Sequence, residues 1–187
     1  MMKRFFYMSV LVLMAALAMA SCGSDDDKQK DEPYEPGGGG GSGSGSKTAV
    51  YDFTTNFSQD LLDICDVTIV YKDGDGKTVR EAAKSTPFKK TVNVKKFPAV
   101  VGAKCEVKLK DGVQLTKDKY DLIATYDHQL SVSGKNPVGT KENTFIQSKG
   151  LNKDKVADFI SRHNGTQCYG FTIDANGAAN TTQNITF

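Results

Sequence analysis

From Lys47 onward, apolar and polar residues alternate with a period of two over most of the chain, as strands do when only one face is buried. Ala49, Tyr51, Phe53 and Phe57 fall on one face of a first strand, and Cys65, Val67, Ile69 and Tyr71 on one face of a second. Asp73-Gly74-Asp75-Gly76 then predicts a tight turn into a strand over residues 77–82. Phe88, Val92 and Val94 predict another strand, broken at Pro98. The cleanest alternation sets Ala103, Cys105, Val107 and Leu109 against Lys104, Glu106, Lys108 and Lys110, with Asp111-Gly112 as its stop. Tyr120, Leu122, Ala124, Tyr126, His128, Leu130 and Val132 continue the period over a length that predicts a bend or two strands. Tyr169, Phe171 and Ile173 precede an Asn176-Gly177 turn, and a last strand is predicted to run to Phe187.

One segment has a different period. Val156, Phe159, Ile160 and His163 recur at helical spacing, which predicts an amphipathic helix over residues 151–163. Asn152 is its candidate cap, Leu151 and Val156 a staple pair, and Gly165 a stop. Many short strands, frequent glycine turns and one late helix predict a mainly β fold, a β-sandwich of immunoglobulin-like or transthyretin-like kind.

Residues 1–46 lack this pattern. Lys3 and Arg4 precede an apolar stretch from Phe5 to Ala20, with the small residues Ala20 and Ser21 at its exit. That order predicts a secretory signal peptide over residues 1–21, its apolar run being too short for a permanent membrane span. Residues 22–46 read as a tether, acidic at first and then an unbroken Gly/Ser run from Gly37 to Ser46. Such a composition buries too little apolar surface to offset the entropy of ordering. As a flexible chain, the tether would span roughly 25–30 Å.

The whole chain carries a formal charge of +2. Removing residues 1–21 takes away two basic residues and no acid, which leaves the mature chain neutral. The charge is then uneven, since residues 22–46 hold six acids and two lysines while residues 47–187 hold 20 basic and 16 acidic residues. That modest excess does not read as a nucleic-acid binder. The 141 residues from Lys47 suffice for one hydrophobic core and hence one domain, 47–187.

Cys22 sits at the exit of the apolar stretch and is followed by Gly23, Ser24 and the acidic run Asp25-Asp26-Asp27. The segment resembles the lipobox of bacterial lipoproteins, with Met19 where Leu is usual. The acidic run is similar to the export signal of Bacteroidota surface lipoproteins. The resemblance covers residues 1–27 alone. It implies that Cys22 is lipidated, that Asp25, Asp26 and Asp27 direct export, and that the mature protein is held in the outer membrane at the cell surface. Such proteins are often encoded beside nutrient-uptake porin systems, so an outer-membrane uptake protein is an implied partner. No cofactor is expected beyond the covalent lipid.

The remaining chemistry is sparse. Cys65, Cys105 and Cys168 can form at most one internal disulfide, and buried apolar thiols are the other reading. Asp73 and Asp75 lack the further oxygen ligands of a calcium loop and read as turn residues. His128 and His163, the only imidazoles, both fall on apolar faces and read as packed rather than catalytic residues. Asp63 and Asp66 share no strand face, and no nucleophile-elbow, zinc-helix or phosphate-loop motif is present. Residues 84–110 hold eight lysines against one acid. Lys104, Lys108 and Lys110 are the candidate binding patch for an anionic glycan or acidic partner, the other reading being lysines that block edge-to-edge pairing of strands. The absence of Trp lowers the case for sugar recognition on a flat aromatic platform. The expectation is a non-catalytic binding or interaction module, such as an accessory subunit of an uptake complex. A glycan- or peptide-capturing protein is the second reading and a hydrolase the third.

Overall fold

The computed structural model describes residues 47–187, so Cys22 and Asp25, Asp26 and Asp27 lie outside the described residues. The chain runs β1 (Ala49–Phe57), α1 (Gln59–Ile64), β2 (Cys65–Lys72), β3 (Thr78–Ala82), β4 (Phe88–Val94) and β5 (Ala99–Leu109). It continues through β6 (Lys119–Val132), β7 (Val138–Asn152), α2 (Lys153–His163), β8 (Cys168–Ile173) and β9 (Ala179–Thr182). The strands form two antiparallel sheets, ordered β4-β1-β6-β7 and β3-β2-β5-β8-β9. Their inner faces close on one core as a mainly β sandwich with a late helix, in agreement with the alternation.

Period two sets the burial. Ala49, Tyr51, Phe53, Thr55 and Phe57 of β1 face inward, as do Cys65, Val67, Ile69 and Tyr71 of β2 and Ala103, Cys105 and Val107 of β5. The middle of the core is aromatic. Tyr126 packs on Phe145 with ring centroids 4.6 Å apart, and His128 packs on Phe171 at 4.8 Å. The hydroxyls of Tyr51 and Tyr126 hydrogen-bond to each other, and His128 Nδ1 lies 3.5 Å from Tyr51 Oη. Burial pushes the Tyr51 hydroxyl pKa upward, the Tyr126 hydrogen bond opposing it only in part. The same desolvation lowers the His128 pKa to about 4, the Asp127 carboxylate countering only part of it. His128 is therefore a neutral core residue at pH 7.

Two hairpins reuse one local solution. Asp73 Oδ1 accepts the amides of Asp75 and Lys77, and Asp174 Oδ1 accepts those of Asn176 and Ala178. In each turn the glycine three residues after the aspartate has φ +79° and donates to the aspartate carbonyl. Glycine reaches that left-handed conformation without the Cβ clash other residues meet.

Several expectations need correction. Residues 119–132 form one strand, and its length is absorbed by three register irregularities against β7. The last strand ends at Thr182 instead of running to Phe187. β7 and the six-residue α1 were not anticipated. The late helix begins at Lys153, and Asn152 occupies the cap position without a side-chain cap bond. The Lys153 amide instead donates to the Asp118 carbonyl, so a tertiary contact satisfies the helix end. Val156 and Ile160 are buried as the helical spacing predicts, and Gly165 turns the chain with φ +64°.

Candidate binding groove

All four turns that lead out of β2, β4, β6 and β8 sit at one end of the sandwich. The register places Ala49 beside Val94 and Val132, Lys72 beside Thr78, and Ile173 beside Ala99 and Ala179. The described chain enters at the same end, where Lys47 Nζ donates to the Asn176 carbonyl at 3.0 Å. The turns cannot close this end completely. Between the turns after β2, β4 and β8 lies a groove of about 1120 Å³.

Val94, Pro98, Val100, Val101, Ile173 and Ile185 supply the apolar lining of the groove. Lys72, Lys77 and Lys96 supply positive charge, Asp73, Asp75 and Asp174 negative charge, and Thr172, Asn180 and Asn184 neutral hydrogen-bonding groups. Val100 is 38% exposed, one of two large hydrophobic residues left so open among the described residues. Asp73 and Asp174 each commit one carboxylate oxygen to their own turn.

One wall of the groove is the segment after β9. Gly102 of β5 and Gly170 of β8 are register partners, and their outer surface is a slot that receives Ile185. A Cβ on Gly102 would meet Ile185 Cδ1 at 2.3 Å, and one on Gly170 would meet it at 2.7 Å. Phe187 lies 5.5 Å beneath Lys104 Nζ, and Cys168 Sγ donates to the Gln183 carbonyl at 2.7 Å. Among the described residues, no backbone–backbone hydrogen bond ties Ile185, Thr186 or Phe187 to the sheet. Side-chain seating alone holds this wall.

The three patch lysines have different surroundings. Lys104 pairs with Glu106 at 2.8 Å, and Arg80 pairs with the same carboxylate. Partial burial raises the Glu106 pKa, but the hydrogen bonds from Lys104 and Arg80 outweigh it and hold the group below the usual range. Lys104 and Arg80 are also the two register partners of Val70, which is fully buried although it faces away from the core. Their stems cover it. Lys110 is half-buried and donates to the Leu62 and Asp63 carbonyls at 2.7 Å and 2.9 Å, where it ties down the end of α1. Lys108 alone stands free of structural work, with only an exposed Asp111 partner at 2.9 Å.

The remaining candidates have structural surroundings. Cys65, Cys105 and Cys168 are free thiols; burial pushes the pKa of both Cys65 and Cys105 up to about 12. His163 Nδ1 donates to the Phe159 carbonyl, 2.8 Å away, and its ring stacks on Phe159. Tyr51, Tyr71, Tyr120 and Tyr126 are buried, so only Tyr169 of the strand tyrosines retains partial exposure. Glu81 accepts from Tyr71 and Lys90 and joins β3 to β4, the facing edges of the two sheets. Among the described residues, no group of three His, Cys, Asp or Glu side chains is placed to hold a metal ion. The groove went unrecognised in the sequence because its lining comes from turns up to about a hundred residues apart, although the two Asp-x-x-Gly turns mark its position. Comparison with protein-family models, with curated proteins and with solved structures finds no match to this chain.

Proposed function

We propose that this protein is a lipid-anchored interaction module of the outer membrane, tethered through Cys22 and exported by Asp25, Asp26 and Asp27, whose groove engages a partner in the same membrane. The observation that carries this reading is that the groove and the chain entry at Lys47 share one end of the sandwich. A tether leaving from that end attaches the domain to the anchoring surface on the side of the groove. A membrane-embedded partner, such as a component of an uptake complex, fits that orientation better than a nutrient arriving from the medium. The lining fits binding rather than bond-breaking, since it combines an open apolar strip with amides, hydroxyls and charges of both signs.

The test is recovery of partners from intact cells after mild detergent extraction, with wild-type protein and a Val100→Glu variant. Val100 is exposed, so the substitution places a charge in the groove with little cost to the fold. A membrane protein recovered with the wild type and lost from Val100→Glu supports the assignment. Recovery of nothing, or of the same proteins with both, would sink it. Palmitate labelling of Cys22 and its loss in Cys22→Ala tests the anchor separately.

A further inference from the structure

The turns at the groove end carry more lysines than acids. Six lysines are gathered there: Lys47 at the chain entry, Lys72 and Lys77 flanking the β2–β3 turn, Lys95 and Lys96 between β4 and β5, and Lys135 between β6 and β7. Asp73, Asp75 and Asp174 are the acids of these turns. Elsewhere eight basic groups, Arg80, Lys90, Lys104, Lys108, Lys117, Lys153, Lys155 and Arg162, stand within 4.0 Å of a carboxylate, while Lys84, Lys89, Lys110, Lys119 and Lys149 are in no ion pair among the described residues. None of the six lysines at the groove end is in an ion pair among the described residues. Five of the six are exposed, and Lys72 is half-buried beside Thr78.

The same end is apolar at its tips. Val138, at the start of β7, is the most exposed large hydrophobic residue described, at 49%, and Pro137 next to it and Pro98 in the β4–β5 turn are also exposed. Unpaired lysines around short apolar projections suit an interface where headgroup charge lies over hydrocarbon.

We infer that this end of the sandwich docks on a phosphate-bearing lipid surface, with the six lysines facing the headgroups. The inference rests on the anchored reading above, which supplies the surface. Three features favour a lipid plane over a single anionic molecule. The cations are distributed over separate turns around the groove instead of converging on one point. All are lysines, compact point charges without the fork geometry that fixes a bidentate contact. The chain also enters from this end, so an anchor upstream of Lys47 attaches to the domain on the side that carries these turns. Docking in this way would hold the groove at a fixed height above the membrane, within reach of an embedded partner.

The whole core lies within residues 47–187, so the chain from residue 22 with Cys22→Ala contains the complete sandwich and lacks the acyl site. Flotation of this protein with vesicles of phosphatidylcholine and phosphatidylglycerol, against pure phosphatidylcholine, reads the patch alone. Binding to the anionic vesicles at low salt, and its loss as salt rises above physiological strength, is expected. A lysine near such a surface contributes about 1 kcal/mol, about fivefold in partitioning, so Lys77→Gln with Lys96→Gln should weaken binding about 25-fold. The control pair Lys84→Gln with Lys108→Gln removes equal charge from exposed positions away from this end and should leave binding within about twofold. Equal binding to neutral vesicles, equal loss in the control pair, or displacement by inorganic phosphate beyond that by chloride of matched ionic strength would overturn the inference. So would the absence of binding, whatever the fate of Cys22. Conversely, a patch that binds vesicles in a protein never acylated in cells would leave the patch standing and remove the anchor.

Discussion

Acid should destabilise this protein through His128, and the effect can be isolated with one substitution. His128 is 6% exposed, with the rings of Phe171, Tyr126 and Tyr51 within 4.8–6.1 Å. Burial lowers its pKa to about 4, whereas in the unfolded chain it protonates near 6.5. Between those values the unfolded state binds a proton that the folded state refuses. Stability is therefore complete above about pH 6.5, falls as the pH drops, and levels off below about 4. The gap corresponds to about 3 kcal/mol, a large share of the stability of a domain this size. His128→Phe keeps a ring in the cluster and removes the titration. It adds volume and disturbs the polar contact to Tyr51, which costs about 1–2 kcal/mol at neutral pH. The carboxylates Asp60, Glu81 and Glu106, each held below the usual range, also lose their stabilising charge in acid. Their contribution is common to both proteins and cancels in the difference. Urea unfolding at pH 7, 6, 5 and 4 measures this, with circular dichroism as the probe because the chain has no Trp. The wild type should lose about 3 kcal/mol more than His128→Phe between pH 7 and pH 4. Parallel pH profiles for the two proteins would show that His128 titrates normally, and the argument would fail.

Lys110→Met should destabilise the domain by about 1–3 kcal/mol, since it removes two charge-assisted bonds to the end of α1; a urea midpoint unchanged from wild type would mean the lysine is only a surface charge. For the same reason, reversal of Lys104, Lys108 and Lys110 to Glu together should lower thermal stability and not spare it. Gly74→Ala should cost about 2 kcal/mol or more, because its Cβ would lie 1.9 Å from the Asn93 carbonyl oxygen. Gly76→Ala offers a contrast in the melting curves: nothing lies within 4 Å of its Cβ, so only its positive φ of +79° resists. With Cys22→Ala in place, a thiol reagent should modify Cys168 first in the native protein and reach Cys65 and Cys105 only on unfolding. Three equally fast thiols would indicate that the core opens on the timescale of labelling.

The sequence determined what depends on neighbours along the chain. Alternation marked the inward faces of β1, β2, β5 and β8, because a strand buried on one side must repeat every two residues. Asp73-Gly74-Asp75-Gly76 and Asn176-Gly177 placed two hairpin turns, since the aspartate bonds and the left-handed glycine found there are local geometry. Helical spacing located α2. What the pattern could not reveal lies in contacts between distant residues. β7 carries glycines at both ends and three irregularities against β6, so its pairing is imposed by its partner and not by its own period. α1, at six residues, is too short to be stable alone and exists because Lys110, Ser58 and the sheet hold it. Lys104, Lys108 and Lys110 look equivalent along one strand. Strand order gave them different fates, by setting Arg80 beside the Lys104–Glu106 pair and the end of α1 beside Lys110. The groove, the Ile185 slot over Gly102 and Gly170, and the unpaired lysine end all arise where separate turns meet. Each is a property of which strands are neighbours, and long-range strand pairing is the quantity a local hydrophobic period does not encode.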